Sequence, residues 1–156
     1  MKIETPAFAE QTPTVKEAIR IANLLLAGEE AFYQKIREVQ AFAFSTNHIT
    51  GNPVSGEEIA PLLAQDINVA VRIFKPLFKC SKEFAHTTPG IPVISLNKYK
   101  LNRGIDEIAA VLIHECVHIV DVQKDLSFSH SDKYVPGTEN SAPYRIQQIA
   151  LKIITP

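Results

Sequence analysis

The sequence predicts a single α+β domain, and three observations carry that expectation. Its 156 residues suffice for one hydrophobic core. Helix-start signals and helical periodicity recur along the chain, interspersed with short β-branched or aromatic runs that read as strands. The balance of 46% hydrophobic against 21% charged residues is that of a compact globule.

Thr14-Val15-Lys16-Glu17 has the form of a capping box and opens an amphipathic helix that Gly28 ends. A second helix follows over residues 29–40. Residues 41–45 are short and aromatic, a candidate strand, and residues 47–53 form a loop. Ser55-Gly56-Glu57-Glu58 is a second capping box, starting a helix that runs to about residue 65. Residues 69–74 read as a strand and residues 79–90 as turns. Residues 91–97 are extended, and Pro92 assigns them to a sheet edge because proline brings no N–H to a ladder. A long helix occupies residues 105–124. After a loop rich in Ser, Asp and Gly, a last helix begins at residue 142 or 143, with Ser141 as its cap, and ends at 154. No repeat or low-complexity tract interrupts this order. The single domain, residues 1–156, therefore has a mainly helical part over 1–90. Residues 91–156 add a strand, the long helix, a loop and the final helix.

Charge and hydropathy exclude several classes of function. A net charge of −1 leaves no strongly basic footprint for nucleic acid. Apolar runs such as residues 21–27 fall far short of the roughly 20 residues that span a bilayer, so no membrane insertion is expected. Residues 1–10 lack the charged start and apolar core of a signal peptide. The expectation is a soluble protein, cytoplasmic or exported without such a signal, and nothing in the sequence specifies an oligomeric state. Cys116 lies on the apolar side of the long helix and is expected as a buried free thiol rather than as a disulfide partner of Cys80.

The long helix carries His114-Glu115-Cys116-Val117-His118, an H-E-x-x-H run. Residues four apart on a helix share one face, about 6 Å apart along the axis. Both imidazoles therefore reach one metal ion while Glu115, one step round, faces water at that ion. Ile105, Ile108, Ala109, Leu112, Ile113, Cys116, Ile119 and Val120 form one apolar stripe, and His114, His118 and Asp121 fall on the opposite side. This is the core of a zinc hydrolase. Catalytic zinc normally takes three protein ligands plus water, so a third donor is required. Asp121 lies seven residues from His114, about 10 Å along the axis, too far for one straight helix to wrap a single ion. It is expected instead to orient a histidine or to attend a nearby cation.

His130 stands twelve positions beyond His118, in Phe128-Ser129-His130-Ser131-Asp132, where the chain has room to double back. This arrangement resembles SprT-like and related minimal zincins, in which H-E-x-x-H is followed after a short connection by a further histidine. The longer pattern, H-E-x-x-H-x-x-D, then His-Ser-Asp, then Glu139-Asn140-Ser141-Ala142-Pro143-Tyr144, is similar to that of a group of bacterial zincin-like domains. The resemblance covers residues 91–150 and leaves the first ninety unmatched. It implies a zincin-like fold with a small mixed sheet and an edge strand beside the active-site helix, a place residues 91–97 are positioned to fill. Substrate backbone would then pair with that strand. It also implies a zinc ion held by His114, His118 and His130. Glu139, at the downstream position of a gluzincin glutamate, is the alternative third ligand, followed by Asp121 and Asp132. Tyr144 or Tyr134 would donate to the oxyanion of a tetrahedral intermediate, unless these rings serve only packing.

The expected function is a zinc metallopeptidase that cleaves a peptide or protein substrate, with Glu115 as general base. Two alternatives stand beside it, a zincin-fold binding or effector module without turnover and a cell-wall peptide amidase. His48 and His86 lie in turn-like contexts and read as solvated residues, with His86 the closer to the expected strand. Lys98, Lys100 and Arg103 read as a solvated connector.

Overall fold

In the computed structural model the described residues are 1–4, 13–78, 80–88, 91–123, 125–128 and 136–155. The chain opens on β1 (Lys2–Glu4), followed by α1 (Pro13–Leu26), α2 (Glu30–Arg37), β2 (Ser45–Asn47) and α3 (Gly56–Leu63). Strands β3 (Asn68–Phe74), β4 (Ala85–Thr88) and β5 (Ile91–Asn97) come next. The long helix α4 (Ile105–Gln123), a short strand β6 (Leu126–Phe128) and α5 (Ala142–Ile154) complete the order. The architecture is mixed α+β, as the alternation of periodicities predicts.

One four-stranded sheet has the order β1-β3-β5-β4, and β2 pairs with β6 in a separate antiparallel ribbon. Within the sheet, β3 pairs in parallel with β1 on one side and β5 on the other, and β4 runs antiparallel to β5. Along β3, Val69 and Val71 are buried while Asn68, Ala70 and Arg72 are exposed, so one face of the sheet meets the core and the other meets solvent. Helix α4 runs through the centre and packs on α1, α3, α5, β4, β5 and β6. Its predicted stripe is buried from Ile108 to Val120, and Ile105 stays exposed in the first turn. Ala110 and Val117, from the opposite side, are buried too. The helix is therefore enclosed nearly all round, and full burial of a side chain such as Leu112 contributes roughly 1.5–3 kcal/mol.

Local signals explain most element boundaries. Glu58 reaches back over the start of α3, its Oε2 accepting from the Ser55 N–H at 2.8 Å and the Ser55 hydroxyl at 2.9 Å, the capping box expected there. Gly28, with φ of +112°, takes the left-handed conformation just past α1 that a β-carbon resists. The box at Thr14 does not form, because α1 already begins at Pro13 and the Glu17 carboxylate receives Arg20 at 2.7 Å instead.

Three expectations about strands are corrected. Residues 91–97 form a strand, but β5 lies inside the sheet between β3 and β4 rather than at its edge. Pro92 is tolerated because Thr88 pairs with Ile91 and Thr87 with Ile94, so Pro92 and Val93 fall within a bulge. Pairing with β3 begins only at Val93. The edge on that side is β4, inside the segment expected to be turns. The strand expected over 41–45 starts only at Ser45, because Phe44, with φ of +51°, breaks the extended run.

Candidate metal centre

His114 and His118 lie one turn apart on α4 with ring centroids 5.1 Å apart. His114 is buried and His118 half-buried. Helix α5 covers His114. The Tyr144 ring meets His114 edge-on with centroids 4.7 Å apart, and Gln147 Oε1 lies 2.9 Å from His114 Nδ1. An amide oxygen only accepts, so this geometry has Nδ1–H donating and the ring's lone pair on Nε2, the nitrogen farther from Gln147.

Glu115 faces the edge strand. Its Oε2 accepts the Thr87 hydroxyl at 2.8 Å, and the residue is only 6% exposed. Burial pushes the Glu115 carboxyl up to about 7, with the Thr87 bond opposing the shift and the Glu83 charge adding to it. Because successive strand residues point to opposite faces, Thr87 turns toward α4 while His86 turns away from it. His86 packs against Phe74 at 4.9 Å between centroids. Its Nδ1 lies 2.9 Å from Glu83 Oε1 without the angles of a hydrogen bond.

The structure sorts the other expected site residues. Asp121 accepts the Phe128 N–H at 3.2 Å, tying the end of α4 to β6. Burial raises its pKa, against the opposing effects of that bond and of nearby His48. Glu139 is exposed, and its Oε2 accepts from Gly137 N–H at 3.1 Å. Among the described residues no three His, Cys, Asp or Glu gather in a metal-holding group. His130, Asp132 and Tyr134 lie outside the described residues. Arg103 sits over the Phe84 ring at 5.0 Å and approaches Glu107 at 3.8 Å, a surface arrangement that fits the expected connector. Both cysteines are free, Cys80 exposed and Cys116 buried, and burial pushes the Cys116 thiol up. Among the described residues no helix is long and apolar enough to cross a membrane.

Two residues that matter here escape the sequence pattern. Thr87 lies in a stretch rich in turn formers, where no strand was expected. Gln147 was visible in principle, because it stands four residues after Pro143 and three before Ala150, both buried, so a polar side chain interrupts the apolar stripe of α5.

Two imidazoles share a helix face, one with Nδ1 beside an amide oxygen, and a carboxylate follows on the same turn, the residue types that an H-E-x-x-H zinc site uses. The chain matches no family model, and comparison with curated proteins and with solved structures finds no match either.

Proposed function

We propose that the chain is a zincin-like, zinc-dependent metallohydrolase that cleaves a peptide amide bond. The observation that supports this most directly is the pairing of His114 and His118 on one turn, with His114 oriented by Gln147 and Glu115 anchored beside them. His114 and His118 would hold the ion, with His130 as the third ligand that the family resemblance implies. Zinc in such a site supplies Lewis-acid polarisation of a carbonyl and a water acidified toward neutrality.

The chain's own residues account for the rest. Thr87 holds Glu115 Oε2, which leaves Oε1 to take a proton from the attacking water and hand it to the departing amine. Tyr144, packed on His114, donates to the oxyanion. The substrate is an extended peptide lying along the outer side of β4, the strand at the end of the sheet and nearest Glu115.

Metal analysis and turnover test the reading together. Protein purified without chelator is expected to hold one exchangeable zinc and to cleave members of a quenched-fluorescent peptide library. Glu115→Gln is expected to keep the zinc and lose cleavage. Failure of the wild-type chain to take up zinc would end the proposal. Zinc uptake with no cleavage by wild type would favour a binding or effector module.

A further inference from the structure

We propose that Gln147 is a positioning residue for this metal centre, holding His114 in the tautomer with the proton on Nδ1 so that Nε2 is presented to the ion. The inference rests on the zinc reading above, but its structural half stands on the geometry alone. Gln147 Oε1 and His114 Nδ1 are 2.9 Å apart, between helices α5 and α4. Gln147 is half-buried on the stripe by which α5 packs, where an amide without a partner is unfavourable. Tyr144, one turn earlier on α5, touches the same ring from its edge. The imidazole is thus gripped at two points from one neighbouring helix, which fixes both its rotation and its proton.

The chemistry of this partner has a further consequence. Metal-bound histidines often donate to a carboxylate, which raises their basicity. Gln147 gives the same directional acceptor without the charge. It selects the tautomer while leaving more of a bound cation's charge uncompensated, and therefore more polarising. Gln147→Leu keeps the approximate volume but removes the acceptor, whereas Gln147→Glu restores an acceptor and adds charge.

Two measurements test the proposal. The first is the His114 tautomer in metal-free protein at pH 8, read from imidazole nitrogen chemical shifts in ¹⁵N-labelled samples. Wild type is expected to show the Nδ1–H form, and Gln147→Leu is expected to populate the Nε2–H form. The second is zinc affinity by chelator competition, expected to fall about tenfold to a hundredfold in Gln147→Leu and to recover or exceed wild type in Gln147→Glu. An Nε2–H tautomer in wild type, or an unchanged tautomer and affinity in folded Gln147→Leu, would overturn the role of Gln147. Absence of zinc uptake by wild type and variants alike, with the tautomer contrast intact, would instead overturn the zinc reading.

Discussion

Thr87, on the edge strand, donates its hydroxyl proton to Glu115 Oε2 on the central helix across 2.8 Å, and this bond joins the two elements that frame the candidate site. Valine matches the shape of threonine without the donor, so Thr87→Val leaves a buried carboxyl oxygen unpaired. The expected loss is about 1–3 kcal/mol in urea unfolding. Thr87→Ser, which keeps the hydroxyl, is expected to lose less. A Thr87→Val protein as stable as wild type would show that the bond contributes nothing to the fold.

The start of α5 yields a contrast between two serines. Ser141 is the residue at the cap position, yet its side chain makes no cap bond and its buried hydroxyl has no partner. The acceptor comes from far away in the chain, because Ala142 N–H donates to Ser45 Oγ at 3.0 Å. Ser45→Ala is therefore expected to destabilise by about 0.5–2 kcal/mol, the usual consequence of losing a helix cap. Ser141→Ala is expected to stay within about 0.5 kcal/mol of wild type, since it removes an unsatisfied buried group. The reverse ranking in chemical denaturation would mean that Ser141 caps the helix after all.

Gly56 opens α3 against the end of α2. Its N–H donates to the Val39 carbonyl at 2.8 Å, and a β-carbon at this position would overlap the Ile36 carbonyl oxygen. The obstacle is backbone, which does not rotate aside. Gly56→Ala is expected to lower stability by about 3 kcal/mol, measured as a fall in the urea midpoint at unchanged slope. A shift of less than about 0.5 kcal/mol, the range of ordinary surface changes, would show that α2 and α3 separate easily.

Tyr33 gives a pH-dependent expectation of its own. Its hydroxyl donates to the Leu26 carbonyl at 3.0 Å, and burial pushes the phenol up to about 12, aided by Cys116 and opposed by Arg37. The folded state therefore holds this proton more tightly than the unfolded state, where a phenol ionises near 10. The stabilisation is complete below pH 10 and is lost as pH rises toward 12. Ultraviolet titration of the native protein should show this tyrosine ionising late, and Tyr33→Phe should remove the late step. An unchanged titration curve in Tyr33→Phe would refute the assignment.

Much of this arrangement is legible in residue order, and the exceptions have physical causes. The box at Ser55, the strand at 69–74, the long motif helix and the final helix are encoded by neighbours within a few residues, so local spacing suffices to find them. The strand at Ala85–Thr88 is hidden because it is only four residues long, lies among turn formers, and gains its place by pairing with β5. Pro92 misleads for a related reason, since a bulge removes the need for its missing donor.

The amino-acid order by itself determined an α+β chain and set two imidazoles and a carboxylate within one turn of a buried helix, because helical pitch is a local property. Tertiary structure alone decided that α5 closes over His114, that Gln147 meets its Nδ1, and that Thr87 meets Glu115. Those contacts join residues 33 and 28 positions apart. No periodicity reports them, because which side chains meet across elements depends on how whole faces pack.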